Sequence, residues 1–495
     1  MRFVQGTLGL ALLLARLAQA DTCSTVEAIS TIEVAQPLEL SYVDEQRDYW
    51  STSCVALTPS CIIFPKSAEE VSLVVTVLNN NTDDFAIKSG GHNPNNYFSS
   101  VQGGPIISTK FLDNVILDQE TGIARVGPGN RLDGIAAKLQ GTGWTFVGGR
   151  IGNTGVGGLV LGGGLSYMSA QYGWAASSVL EYEIVLANGT IATASATQNA
   201  DLFKALKGGG NNFGIVTTYV LQTHRQGNVY GGNMAFLRSK STDTKLLKAV
   251  RDFTEYNEDD KAAVIVTAEQ GNIDLIDSWI LFLFYDGDVV PEGTFKNFTD
   301  VGPILNTCKV RTYADLMATS NWVIVPASVV DIGTETISLP SAENGDVLNA
   351  LHAHWRNVSS TALLEPGIVA SIAWQPFPKR IAQAARERGG DLIDVDDEAH
   401  RIIIEMNYSF LLQTSYDKMA DTLEATYSGL RQRVLEYQAQ GKLPDVYLPV
   451  FMNYGFYRED YWGRLRPESR MLARKVSLEV DPEGFFRNRT GGWKP

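Results

Sequence analysis

The chain has 495 residues, of which 44% are hydrophobic and 19% charged, and its net charge is −14. That length and apolar content support a large core in two or three domains and exclude a disordered protein. The acidic balance, with no Lys/Arg cluster to offset it, argues against nucleic acid or an anionic membrane as partner.

Residues 1–20 read as a secretory signal. Arg2 gives a positive start, Leu8 to Ala15 is apolar, and Ala18-Gln19-Ala20 has the form of a cleavage site. The run is too short for a membrane anchor and Arg16 interrupts it. No later stretch is long and apolar enough to span a bilayer. Sequons at Asn80, Asn188, Asn297, Asn357, Asn407 and Asn488 fit a secreted chain. Cys23, Cys54, Cys61 and Cys308 lack metal-ligand spacing, and an oxidising compartment favours disulfides. Three pairings are open, Cys23 with Cys61 among them. His352 and His354 form an H-x-H pair without acidic or thiol support, so no metal is expected.

After a lead-in, a βα pattern begins. Cys61 to Pro65 is a short apolar strand. Ser67-Ala68-Glu69-Glu70 has the capping-box form, with Val71, Val74, Val75 and Leu78 at helical spacing behind it. The next strand, Phe85 to Lys88, runs into Ser89-Gly90-Gly91-His92-Asn93. Adjacent glycines let backbone N–H groups turn toward an anion such as a pyrophosphate. Ile106–Ser108, Val115–Leu117 and Ile123–Val126 are further strands, and Leu132, Ile135, Ala136 and Leu139 mark a helix face. Asn188-Gly189 lies between two strands, Glu181 to Ala187 and Thr190 to Ala194, as in a hairpin. Asp201–Leu206 reads as a helix and Ile215–Leu221 as a strand.

From about residue 227 the texture changes. Leu246, Leu247, Val250 and Phe253 suit an amphipathic helix, while Ala263–Ala268, Trp279–Tyr285 and Arg401–Phe410 are β-prone. A sheet with helices packed on it is expected there.

Two more glycine-dense stretches follow the first loop: Gly148 to Ser166, and Lys207 to Val216. Neither has the phosphate-loop G-x-x-x-x-G-K-[ST] pattern, and Gly162-x-Gly164 lacks the strand and acidic residue of a Rossmann fingerprint. Interleaved Val, Leu and Ile mark the longer stretch as packed chain. Three such loops in one domain suit one bulky, phosphate-bearing ligand approached closely by backbone. FAD fits that description, with His92 as the residue bonded to it.

The segments Cys61 to Ser67, Lys88 to His92, Gly155 to Gly158 with Gly162-Gly163-Gly164, and Gly208 to Val216 closely resemble the FAD-binding domain of the vanillyl-alcohol oxidase superfamily. Within it the chain is similar to the fungal berberine-bridge-enzyme-like oxidoreductases, as is the tail Asp481 to Phe486 followed by Gly491 to Lys494. The resemblance implies an α+β fold. A PCMH-type FAD-binding domain of two subdomains would be joined to a substrate domain whose antiparallel sheet, covered by helices, roofs the flavin. The expected divisions are residues 1–20 (signal), 21–54 (lead-in), 55–226 (FAD domain), 227–444 (substrate domain) and 445–495 (a segment returning to the FAD domain).

By resemblance the cofactor-binding residues are Ser89, Gly90, Gly91, His92 and Asn93, then Thr154, Gly155, Gly158, Gly162 and Gly163, and Val216. His92 would carry the 8α linkage to FAD. Many relatives have a second linkage from a cysteine where this chain reads Gly149-Arg150-Ile151-Gly152, so a single covalent bond is expected. Arg150 itself is assigned to the cofactor phosphates or to solvent. The family's Tyr-x-Asn-Tyr motif reads Phe451-Met452-Asn453-Tyr454. Tyr454 is the first candidate for catalytic base and Asn453 an orienting residue. Tyr408 and Glu405 are further candidates on the roofing sheet, with a core tyrosine and an exposed acid as the alternative readings.

The function expected is oxidation of a small alcohol, phenolic or polyketide-like substrate. Molecular oxygen would be the acceptor, hydrogen peroxide the product, and secondary metabolism the setting. A carbohydrate oxidase, an oxidation coupled to ring closure, or a secreted protein that keeps FAD without catalysis are the alternatives. A monomer in the secretory pathway is expected, without nucleic-acid or membrane partners.

Overall fold

Ser67 opens the first long helix, Ala68–Asn79, by accepting the Glu70 N–H with its hydroxyl. Glu70 reaches one residue further back than in a regular capping box and accepts the Lys66 N–H at 2.7 Å. Behind the cap, Val71, Val74, Val75 and Leu78 are fully buried. In this computed structural model, which describes residues 21–272 and 276–495, the helix crosses between parallel strands. Ile62–Phe64 and Ala86–Lys88 flank Ile106–Ser108, and Glu33–Ala35 adds an antiparallel edge. A parallel pair needs such a crossover because its strands run the same way. The secretory-signal reading of residues 1–20 lies outside the described residues.

A second, antiparallel sheet follows. Its order is Val115–Asp118, Ile123–Val126, Ile215–Gln222, Val179–Val185, Ile191–Ser195. The Asn188-Gly189 turn joins the last two strands, and Gly189 takes a φ of +81°, which glycine adopts without strain. The chain leaves this region after His224–Arg225 and enters a third sheet at Val229–Leu237.

The third sheet is antiparallel. From one edge it runs Leu305–Asn306, Val229–Leu237, Ile276–Tyr285, Ala262–Gly271, Val369–Phe377, Arg401–Phe410, Val329–Ser338, and Lys309–Arg311 also pairs with Val229–Leu237. Side chains alternate between its faces. Val264, Val266, Trp374, Ile404 and Met406 point to one side and join a core with Leu247 and Val250 of helix Lys240–Tyr256, Leu348 and Trp355 of helix Asp346–Ser359, and Leu423 of helix Tyr416–Ala439. The other face covers a cavity. No helix among the described residues is long and apolar enough to cross a membrane.

The C-terminal segment packs back onto the first sheet. Asp481 accepts the N–H groups of Phe485 and Phe486, setting helix Phe485–Arg489 so that the Phe485 ring packs tilted against Phe85 at 5.0 Å. Arg489 then donates to the Leu78 carbonyl at the end of the first long helix.

Cys23 and Cys61 form a disulfide, while Cys54 and Cys308 are free thiols. The bridge ties helix Thr22–Ile29 to the start of the first sheet across a sequence separation of 38. Closing a loop of that size restricts the unfolded chain by about 4 kcal/mol on the chain-entropy account. Cys23→Ser is expected to lower the unfolding free energy by about 2–4 kcal/mol in denaturant titrations without releasing bound flavin.

Candidate active site

A cavity of about 380 Å³ lies between the glycine-dense loops and the third sheet. Ser89, Gly90, Gly91, His92 and Asn93 form one wall, and Thr154, Gly155 and Gly158 another. Gly90 and Gly155 touch backbone to backbone: a Cβ on Gly90 would lie 2.5 Å from the Gly155 Cα. Gly91 takes a φ of +63° and could not carry a side chain either, since its Cβ would meet the Asp48 carbonyl at 2.4 Å. Gly158 is different, because a Cβ there would meet nothing within 4 Å. Val216 lies on the cavity wall as well.

His92 stands at the rim of the first loop. Trp50 stacks on its ring at 4.6 Å, and Asn153 Oδ1 lies 3.2 Å from Nε2, so the ring is fixed in plane and rotation. Asn153 is held in turn by Asn321, whose side-chain oxygen accepts its N–H at 2.8 Å. Arg131 donates to the Asn153 carbonyl and pairs with Asp48 at 2.7 Å. Burial, with the nearby positive charge of Arg131, pushes the imidazole down to about 4. At neutral pH the ring is uncharged and has a lone pair to share.

Opposite this lies a polar cluster. Arg150, 8% exposed, donates to the Tyr454 hydroxyl. That hydroxyl donates to Gln375 Oε1 at 3.3 Å, and Gln375 Nε2 donates to Glu405 at 3.1 Å. Burial pushes the Arg150 guanidinium down to about 10, opposed by the Glu405 charge. Burial holds the Glu405 carboxyl above the usual carboxylate range, opposed by Arg150. Phe451 stacks on Trp174 at 5.3 Å and meets Tyr454 edge-on at 4.9 Å. The missing phenol at position 451 is thus replaced by aromatic packing that aims Tyr454.

Several expectations need correction. Tyr408 does not face the cavity. It is fully buried on the helix side of the sheet, bonded to Ser359 at 2.6 Å and Thr426 at 2.9 Å. Glu405 and Tyr408 are three residues apart on one strand, so the alternation places them on opposite faces. Tyr408→Phe is expected to cost about 1–3 kcal/mol of stability and leave the rate of flavin reduction unchanged. Gly162 and Gly163 are not on the cavity wall. Gly162 packs against Asn453, whose Oδ1 accepts the Gly164 N–H at 2.9 Å and whose Nδ2 donates to the Leu159 carbonyl at 3.1 Å. Asn453 lines the cavity and also pins the glycine stretch. Gly163 has a φ of +102° and packs on Ile393. Arg150 is buried from bulk solvent and bonded to Tyr454, and Glu405 faces the cavity instead of solvent. The Asn407 sequon lies mid-strand on that wall as well, where a glycan would fill the cavity, whereas the other five asparagines are exposed.

The residues present suit FAD. Among the described residues, the backbone N–H groups of Gly90, Gly91 and His92 donate to no protein acceptor, which leaves them for an anionic ligand. Gly158 keeps open the space that a side chain would fill. Gly492 and Trp493 close the wall beside the third glycine loop, where Asn212 donates to the Trp493 carbonyl at 3.0 Å.

Comparison with known proteins agrees. Residues 59–195 match the FAD binding domain family FAD_binding_4. An uncharacterized FAD-linked oxidoreductase of Arthroderma benhamiae is 42% identical over 94% of this chain and 92% of that protein. The FAD-dependent monooxygenase FUP4 of Fusarium proliferatum is 30% identical, covering 92% of this chain and 89% of that one. The structure of berberine bridge enzyme from Eschscholzia californica superposes with a TM-score of 0.74 at 17% identity, over 94% of this chain and 97% of that one. With a relative so similar over nearly its full length and this cavity between its sheets, the chain belongs to the FAD-linked oxidoreductases and has the fold of berberine bridge enzyme.

Proposed function

We propose that the protein oxidises a small organic alcohol or phenol, with FAD bonded to His92 and molecular oxygen as the final electron acceptor. The observation that carries this reading is the Arg150–Tyr454–Gln375–Glu405 cluster facing the cavity opposite the glycine loops. Bound flavin would accept hydride from the substrate carbon and return the electrons to oxygen. The chain would supply the rest. The N–H groups of Gly90 and Gly91 would hold the cofactor's phosphates. As the phenolate, having first released its own proton, Tyr454 would take the hydroxyl proton of the substrate on its oxygen and return to the hydroxyl form. Arg150, donating to that oxygen, sets a positive charge where the phenolate would carry its negative one. Glu405 compensates Arg150 through the enclosed cluster, and Phe451 with Trp174 keeps water from it. The exposed sequons and the Cys23–Cys61 disulfide support a secreted protein.

Anaerobic mixing of the purified holoprotein with a panel of alcohols and phenols tests this. Bleaching of the flavin band, then recovery in air with one hydrogen peroxide per turnover, is expected. The name of the Fusarium relative favours a second reading, in which an atom of oxygen enters the product. Label from ¹⁸O₂ in the product, with no free peroxide, would decide for that one. A flavin that no alcohol, phenol or sugar bleaches would leave a flavin-binding protein without this activity.

A further inference from the structure

The cavity face of the third sheet carries a polar row that the chemistry above does not use. Glu269 lies opposite Ser371 in the ladder, and Ser371 opposite Asn407. All three line the cavity. Neighbouring strands are about 4.8 Å apart, so the row spans roughly 10 Å. Glu405 stands in the adjacent row, across from Ala373 and two strands from Glu269. Sheet geometry puts Glu269 roughly 12 Å from it, about the length of a small aromatic molecule plus its hydrogen bonds.

These side chains lack protein partners. Among the described residues, neither Glu269 nor the Asn407 amide makes a hydrogen bond or ion pair, and Ser371 has one long contact, 3.5 Å, to the Asn407 carbonyl. The charged residues on the cavity wall are Arg150, Glu269 and Glu405. Arg150 is engaged with Tyr454 and balanced by Glu405. Glu269 therefore faces the cavity without a counter-charge. Burial holds its carboxyl above the usual range, with no positive neighbour opposing. All three are half-buried on the cavity wall, so their polar atoms are free to hydrogen-bond a ligand that enters it. An anion beside Glu269 would meet like charge, whereas a hydroxyl or ammonium would find an acceptor.

We propose that Glu269, Ser371 and Asn407 form a recognition subsite for the end of the substrate remote from the reacting carbon, and that this end donates hydrogen bonds, as a hydroxyl or an ammonium, and is not a carboxylate. The subsite rests on the reading of the cavity as the oxidation site. It makes Glu269 a specificity-determining residue and assigns it no proton transfer.

Three matched probes test this on the oxidised holoprotein: 1,4-benzenedimethanol, 4-(aminomethyl)benzyl alcohol and 4-(hydroxymethyl)benzoate. Kd is read from the perturbation of the flavin spectrum. The wild type is expected to bind the first two at least about tenfold tighter than the benzoate. That comparison needs no variant. In Glu269→Gln the ammonium probe should lose about tenfold, the diol should stay within about threefold, and the benzoate should gain. Flavin content per chain reports folding of the variant. An ammonium that outbinds the diol in the wild type assigns the natural end group as an amine, and the reverse order assigns a hydroxyl. Equal Kd values for all three probes, an unchanged pattern in Glu269→Gln, or no spectral response to any probe would overturn the subsite. A purified protein without flavin would instead overturn the oxidase reading beneath it.

Discussion

His92→Ala is expected to move all of the flavin from the pellet to the supernatant when the holoprotein is precipitated with acid. His92 is held at the cavity rim by Trp50 and Asn153 and is uncharged at neutral pH. The loop at Gly149–Gly152 offers Arg150 and Ile151 but no thiol. The free thiols do not compete, because neither Cys54 nor Cys308 lies on the cavity wall. Cys54 contacts the Pro94 carbonyl at 3.5 Å, and burial pushes it up to about 12, so it is not a thiolate at neutral pH. Cys54→Ser and Cys308→Ser should therefore keep the flavin in the pellet. Yellow pellet from His92→Ala would rule out His92 as the tether.

Tyr454→Phe should slow flavin reduction by the best substrate by about 10²–10⁴-fold while flavin content stays at one per chain. The phenylalanine ring can keep the edge-on contact with Phe451. What goes is the oxygen that Arg150 and Gln375 share, and with it the proton acceptor. Arg150→Met should act in the same direction, since it removes the positive charge from that oxygen. Glu405→Gln separates the parts of the cluster. The Glu405 carboxyl is raised, so in the wild type its negative charge is present above that raised value and lost as pH falls through it. Flavin reduction should decline on the acid side at a pH above the ordinary carboxylate range, and Glu405→Gln should abolish that limb. A Tyr454→Phe protein that reduces its flavin at the wild-type rate would remove the phenol from the chemistry.

Local signals carried the elements well. The Ser67 cap, the Asn188-Gly189 turn and the β-prone runs Ala263–Ala268 and Arg401–Phe410 all lie where residue pattern puts them. The short helix Val156–Leu161 was hidden, since a stretch so rich in glycine gives no helical signal. At the site, the wall formed by the first loop was legible because Gly-Gly beside histidine is a local pattern. The Arg150–Tyr454–Gln375–Glu405 cluster was not, because its members come from four separated segments and meet only through the third sheet. One local pattern does reach the cluster. Period-two alternation groups Glu405, Asn407 and Ser409 on one face and excludes Tyr408 from it.

The position of Trp493 also fixes an order of events. Its carbonyl is bonded by Asn212, its ring meets Phe98 edge-on at 4.8 Å, and Asn211 bonds the Gly491 carbonyl. Segments around residues 98, 211 and 493 thus meet at one wall of the cofactor cavity. That wall cannot exist until residues 491–493 have docked on the third glycine loop. A chain stopped after Thr490 should fold its sheets yet carry less flavin per chain than the 495-residue protein. Flavin content per chain then reports whether residues 491–493 have docked.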